Sequence, residues 1–393
     1  MRLFLVSGER SGDRHGAGVM EEIRARIPGV EFHGMGGAEM HALSPDIHDW
    51  VEEAGVVGLV EVLKKYGWFR KKFAETLQRI AGLQPDAVVL IDYPGFNLRL
   101  AKALRRRGFK GKIIYYISPQ VWAWHRGRIP KMGRLLDLMI CLFPFERDLY
   151  EGCGLHTVFA GHPLVEYHRK RRLNIQREPG LIGFFPGSRT REIAKHFPVL
   201  LDAAQRMKVE RPALKFVASA ASEKLAATMR GILAASPVAD LTIETGTVHT
   251  LMQRVSCGAV ASGTATLEAA IHELPHCLIY KVSPGTYLAG RMLIRVPYLG
   301  IVNILAGREV VRELLQGGCT GEKIAAELLR LSDDSKARAA LAAELRTVVD
   351  GLAGDGAYHK AAEAMLLTAQ AVHPGEADPG QNLPVRPDAA PPR

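Results

Sequence analysis

Short apolar runs rich in β-branched residues alternate along the chain with longer stretches whose apolar positions recur at helical spacing. Leu3–Val6, Ala87–Ile91, Ile113–Ile117, Leu138–Phe143 and Thr157–Phe159 read as strands, and a further strand ends at His33-Gly34. Helical patterns cover 14–27, 60–82, 96–107 and 144–151. Strands alternating with helices in this way predict a parallel sheet covered on both faces.

The pattern pauses at residues 166–179 (EYHRKRRLNIQREP), which are polar and basic, lack apolar periodicity and read as a linker. A second alternation follows, with strands at Leu181–Phe185, Lys215–Ser219, Leu241–Glu244, Gly258–Ala261 and Cys277–Tyr280. Helical segments lie between them near 190–210, 222–235, 247–255 and 264–273. The predicted fold is α/β, with two doubly wound Rossmann-like domains, 1–165 and 180–345, facing a cleft. Residues 346–372 extend a helical C-terminal segment, and the tail 373–393, with six prolines in a polar context, predicts disorder.

A composition of 47% apolar and 23% charged residues fits sizeable cores and excludes a fibrous or wholly disordered chain. The five cysteines form no close pairs, which argues against a disulfide framework or zinc ribbon and for a reducing compartment. The apolar N-terminus is too short for a signal peptide, and no run approaches the ~20 apolar residues that cross a bilayer. A cytoplasmic protein is expected, with peripheral membrane contact still open to it.

The net charge of +10 suits nucleic acid, anionic lipid or phosphorylated metabolites. It is concentrated in three places: Arg99 to Lys112, Arg169-Lys170-Arg171-Arg172, and Lys64-Lys65 with Arg70-Lys71-Lys72. The last cluster holds Val62, Tyr66, Phe69 and Phe73 at helical spacing with Trp68 beside them. Aromatics among cations describe a helix lying on a membrane surface; core packing of the same face is the structural alternative. Nucleic acid is not expected, because the basic clusters lie away from the glycine turns and lack an interleaved aromatic platform.

In open parallel sheets ligands bind beyond the carboxyl ends of the strands. Three glycine-bearing turns stand there. Ser7-Gly8-Glu9-Arg10-Ser11-Gly12-Asp13 follows the first strand, but it is no nicotinamide fingerprint, since no acid ends the next strand. Pro186-Gly187-Ser188-Arg189 opens a helix, where free backbone N–H groups, a hydroxyl and a guanidinium suit a diphosphate. Ser262-Gly263-Thr264 opens another, with Glu268 one turn on, suited to ribose hydroxyls. Each is also an ordinary strand–helix turn, and an early helical acid also serves the dipole.

Asp92 follows Ala87–Ile91 and precedes Tyr93-Pro94-Gly95-Phe96-Asn97, a placement that suits a general base, or equally a helix cap. His272-Glu273-Leu274-Pro275-His276 matches the H-E-x-x-H pattern of zinc proteases. Pro275 ends the helix before the second histidine, so no zinc site is expected from it. The chain also lacks Asp-x-Asp. Charge on a departing diphosphate would then be met without a metal or other cofactor, by N–H groups, hydroxyls and arginine.

Taken together, SGERSGDRHGAG at 7–18, IDYPGFN at 91–97, YISPQVWAWHRGRIPKMGR at 116–134, FPFE at 143–146, AGHPL at 160–164, PGSRTREI at 186–193, SGTATLEAA at 262–270 and VPYLGIVNILAGREVVRELLQ at 296–316 resemble the lipid-A-disaccharide synthase family. The likeness covers residues 2–345 and implies inverting glycosyltransferases of the two-Rossmann (GT-B) architecture, family 19. It implies transfer of 2,3-diacylglucosamine from UDP to the 6-hydroxyl of 2,3-diacylglucosamine 1-phosphate, giving a β-1,6 disaccharide in lipopolysaccharide biosynthesis. It further implies Asp92 as the essential carboxylate, Arg189, Glu268 and Asn303 at the nucleotide sugar, Glu9 with Ser11 at the cleft, and a homodimer on the inner membrane. Gly95 stands where some relatives carry a second acid, and His15 remains a rival base.

Overall fold

The structure, a computed structural model, describes residues 1–54, 65–124, 126–173, 175–283, 285, 287, 296–352 and 356–371. Val62, Leu63 and Lys64 of the aromatic–cationic stretch, and the tail 373–393, lie outside the described residues.

The first sheet contains β1 (Arg2–Ser7), β2 (Glu31–Gly36), β3 (Ile47–Asp49), β4 (Ala87–Ile91), β5 (Lys112–Tyr116), β6 (Leu138–Cys141) and β7 (Thr157–Phe159). Their order is β3-β2-β1-β4-β5-β6-β7, and every pairing is parallel. Alternation along each strand feeds two cores. Leu3, Leu5, Val89, Ile91, Ile114 and Tyr116 belong to one; Phe4, Val6, Val88, Leu90, Ile113 and Tyr115 belong to the other. With both faces buried, these strands read as unbroken apolar runs.

The second sheet contains β8 (Glu178–Phe185), β9 (Lys215–Ala220), β10 (Leu241–Thr245), β11 (Val255–Ala261), β12 (His276–Tyr280) and β13 (Glu313–Leu315), in the order β10-β9-β8-β11-β12-β13. Two parallel sheets flanked by helices match the predicted α/β class. β3 and β13, three residues each at a sheet edge, were not among the strands read from the sequence.

Two segments differ from expectation. Helix Pro163–Lys170 covers the start of the stretch read as a linker, and the arginines and lysine at 169–172 are spent on ion pairs and a ring contact. Arg169 meets Asp350, Lys170 meets Glu166, Arg172 meets Glu273, and Arg171 lies 3.9 Å over the Tyr167 ring. Leu173 N–H donates to Gln253 Oε1 (2.7 Å), and the Arg177 guanidinium donates to the carbonyls of Met252, Val255 and His272. Polarity here means ion pairing rather than looseness. The last helix, Ala357–Gln370, returns to the first domain. Its Ala361, Ala362, Met365 and Leu366 join the core beneath helix Arg10–Arg26, where Gly18 leaves room for the Tyr358 ring. Helix Ser335–Asp350 instead packs Leu341, Leu345 and Val349 into the second domain.

Helix Tyr66–Leu83 carries the aromatic face. Tyr66 is 60% exposed, whereas Trp68, Phe69 and Phe73 pack against the first-domain core. Trp68 stacks on Trp50 and donates to Glu53 Oε2 (3.0 Å). Lys71 and Lys72 both pair with Glu75. No described helix is long and apolar enough to cross a membrane.

Candidate active site

In each sheet the strand order reverses at one place, between β1 and β4 in the first and between β8 and β11 in the second. The crevice beyond such a reversal is where ligands bind. Glu9 and Asp92 flank the first; Gly187–Arg189 and Ser262–Thr264 flank the second.

Ser7 and Ile91 pair at the ends of β1 and β4, so the residues after them are neighbours. Asp92 and Tyr93 both adopt left-handed backbone (φ 46° and 49°), a conformation that costs L-residues ~1–2 kcal/mol each. Hydrogen bonds hold it there. Asp92 N–H donates to the Tyr116 carbonyl (2.9 Å), and its own carbonyl accepts from Tyr115 Oη (2.6 Å) and Asn97 Nδ2 (2.8 Å). Pro94 then starts helix Pro94–Arg106 with φ already set. The Tyr93 ring lies so close to Gly8 that a Cβ there would stand 2.5 Å from it, which explains the glycine after β1.

Burial pushes the Asp92 carboxyl up to about 6; the Glu9 charge adds to this and the Tyr93 amide opposes it. A carboxylate with that proton affinity is suited to accept a proton near neutral pH. Glu9 and Ser11 are exposed at the start of helix Arg10–Arg26. Buried Asp13 accepts the amides of Gly37 (2.7 Å), Glu39 (2.9 Å) and Met40 (3.1 Å), so the acid of that turn anchors the next helix.

His15 sits in the seam with the returning helix. Its Nδ1 is 3.1 Å from Tyr358 Oη, and its ring packs edge-on against Tyr116. Burial, with Arg14, lowers its pKa to about 4. Tyr358 thus occupies one of its ring nitrogens.

Beside Asp92 lies a cavity of about 440 Å³ that the sequence did not reveal. Phe69, Phe73, Tyr93 and Phe96 form its wall, Arg70 and Arg99 stand at it, and Gly95 faces open space. An aromatic cavity with two guanidiniums suits an amphiphile with an anionic group. The loop after β5 is held from below by Glu146, which is 1% exposed. Its Oε1 accepts from Trp122 Nε1 (2.8 Å) and its Oε2 from Phe143 N–H (3.2 Å). Burial raises its pKa to about 7, against those hydrogen bonds.

In the second domain Gly187 has φ 116°, and helix Thr190–Glu210 begins after Arg189. The Ser188 and Arg189 amides are not free, contrary to expectation. Glu192 Oε2 accepts both (2.9 and 3.2 Å), while its Oε1 accepts from the Arg189 guanidinium (2.9 Å). A glutamate three residues into a helix reaches back to cap it, and this spacing was readable in Arg189-Thr190-Arg191-Glu192. Gly263 (φ 148°) and Thr264 are exposed ahead of helix Thr264–Ile271, and Ser262 is half-buried. Glu268, half-buried one turn on, has its pKa raised by burial.

Asn303 is not at an open surface. It is 1% exposed; its Nδ2 donates to the Val311 carbonyl and Glu313, and its Oδ1 accepts the Val310 and Val311 amides. Every polar atom of the side chain is thus committed to the loop around it. The H-E-x-x-H residues part as expected: the helix ends at Ile271, Glu273 is left-handed (φ 53°), and His276 opens β12.

The family model of lipid-A-disaccharide synthetase matches residues 3–365. The lipid-A-disaccharide synthase of Geobacter sulfurreducens is 42% identical over 353 residues, covering 87% of this chain and 91% of the relative. That of Pseudomonas aeruginosa is 36% identical, covering 85% and 90%. Among solved structures, the UDP-GlcNAc 2-epimerase from Neisseria meningitidis bound to UDP-GlcNAc superposes with TM-score 0.56 at 10% identity, covering 94% of this chain and 99% of that one. A calicheamicin glycosyltransferase gives TM-score 0.55 at 12% identity, covering 96% and 99%. At such identities these two establish the GT-B fold alone. The sequence matches, spanning both sheets and the motifs at their switch points, establish that the chain belongs to the lipid-A-disaccharide synthase family.

Proposed function

We propose that this glycosyltransferase moves 2,3-diacylglucosamine from UDP to the 6-hydroxyl of 2,3-diacylglucosamine 1-phosphate, forming the β-1,6-linked disaccharide 1-phosphate and UDP in a single inverting displacement. The observation that carries the mechanism is Asp92, a carboxyl raised to about 6 at the first switch point beside an aromatic cavity. Asp92 takes the acceptor proton as the hydroxyl attacks. The turns Gly187–Arg189 and Ser262–Thr264 receive the diphosphate, and Glu268 the ribose. Because Glu192 holds the Ser188 and Arg189 amides, the diphosphate either displaces that carboxylate or uses the Arg189 side chain and the second turn.

The acceptor's acyl chain fits the cavity of Phe69, Phe73, Tyr93 and Phe96, with Arg70 and Arg99 available to its phosphate. Exposed Tyr66 and the cations beside it orient this opening toward an anionic inner-membrane surface, from the cytoplasmic side. The working halves are residues 1–165 for the acceptor and 180–345 for the donor, and a homodimer is the expected assembly. Incubation with both diacylglucosamine substrates and mass analysis of the lipid product tests this reading. Conversion of the UDP-sugar without acceptor, the reaction of an epimerase, would overturn it.

A further inference from the structure

His168, His249 and His272 come from three separate elements, yet each offers a ring nitrogen and these atoms lie within 4.8 Å of one another. His168 is near the end of helix Pro163–Lys170, His249 is in the first turn of helix Val248–Arg254, and His272 directly follows helix Thr264–Ile271. The His168 ring centroid is 4.3 Å from that of His249 and 4.9 Å from that of His272. Among the described residues, Nδ1 of His249 and Nε2 of His272 are buried without a hydrogen-bond partner. Buried polar atoms are rarely left so, and two in one cluster of imidazoles ask for a shared ligand. A carboxylate stands beside them: Glu268 Oε2 is 3.9 Å from His249 Nδ1.

We infer that His168, His249 and His272 form a three-histidine binding site for a late first-row divalent metal ion of the zinc class. Three neutral imidazoles, with water as the fourth donor, are a set such ions take, and no other metal-ligating cluster occurs among the described residues. The three nearby arginines are each engaged elsewhere. Arg172 is paired with Glu273, Arg171 lies over Tyr167, and Arg177 is bonded to backbone carbonyls. Tetrahedral zinc with bonds of about 2.0–2.1 Å needs nitrogens about 3.3 Å apart, so the rings close in by side-chain rotation on binding. The ion ties the helix that leaves the first sheet to two helices of the second domain. It is separate from the leaving-group chemistry and from the H-E-x-x-H pattern, of which it uses one histidine.

The test is titration of the full chain, stripped with a chelator, with Co²⁺ and then Zn²⁺. One equivalent of Co²⁺ is expected to give the ligand-field absorption of a tetrahedral nitrogen–oxygen site and to be displaced by Zn²⁺. Zn²⁺ is expected to raise the unfolding midpoint. His249→Ala, at a half-buried position, and His168→Gln should each weaken binding at least tenfold while circular dichroism stays native. His156→Ala, at an exposed position, should leave binding unchanged. Absence of saturable Co²⁺ binding, or equal binding by the parent and a folded His249→Ala variant, overturns the inference.

Discussion

Glu9 and Asp92 stand just beyond the ends of adjacent parallel strands, and the charge of Glu9 strengthens the hold of Asp92 on its proton. A base acts only when deprotonated, so kcat/KM should rise with pH through about 6 and level off above it. Glu9→Gln removes the repulsion, lowers the Asp92 pKa and should move this limb to lower pH. Asp92→Asn should reduce kcat by ~10²–10⁴ while UDP still protects against thermal unfolding. Retained turnover in Asp92→Asn would assign the base elsewhere.

Glu146 should make stability depend on pH. Its folded pKa of about 7 lies above the ordinary 4.5, so the fold favours the protonated form. That contribution is complete below 4.5 and lost as pH rises through about 7, roughly 3 kcal/mol in all. Glu146→Gln cannot ionise and still offers an oxygen to Trp122 Nε1. Its Tm should therefore fall less than the parent's across that window; parallel Tm–pH curves would refute the assignment.

Arg189 pairs with Glu192 across an exposed surface, the arginine side chain being 69% accessible, so its removal should change stability by less than about 1 kcal/mol. Loss of a guanidinium from a diphosphate should nevertheless weaken UDP binding by ~10–100-fold. Calorimetric titration of Arg189→Ala with UDP separates the two effects. Unchanged affinity would move the diphosphate to the Ser262–Thr264 turn.

Asn303→Ala leaves the Val310 and Val311 amides without their acceptor inside the loop. The unsatisfied buried donor at Val311 costs about 1–3 kcal/mol and the part-buried Val310 amide adds to it, so a clear drop in Tm is expected, with UDP affinity falling as a consequence. A variant with native Tm and lost UDP affinity would instead put Asn303 in direct contact with the nucleotide sugar.

Gly95 faces open space at the aromatic cavity. Gly95→Leu should raise KM for the diacylated acceptor several-fold and leave UDP affinity unchanged. Equal KM values for the two proteins would place the acyl chain elsewhere.

The elements themselves were legible because strands buried on both faces are continuous apolar runs and the helices between them are amphipathic. Ala87–Ile91, Thr157–Phe159 and helix Thr190–Glu210 appear where the pattern placed them. The positions of Asp92, Ser188 and Thr264 were legible too, since each follows a strand and precedes a helix. Their surroundings were not. Glu192 on the Ser188 amide is a local contact with a readable spacing. Tyr358 on His15, Glu146 under Trp122 and the meeting of three histidines join residues far apart in the chain. The sequence by itself determined which segments fold and where their ends carry polar groups, because periodicity and turn chemistry are local. Only the tertiary structure decided which of those groups are free, which are capped and which are buried, because hydrogen-bond partners and desolvation depend on neighbours that local pattern does not encode.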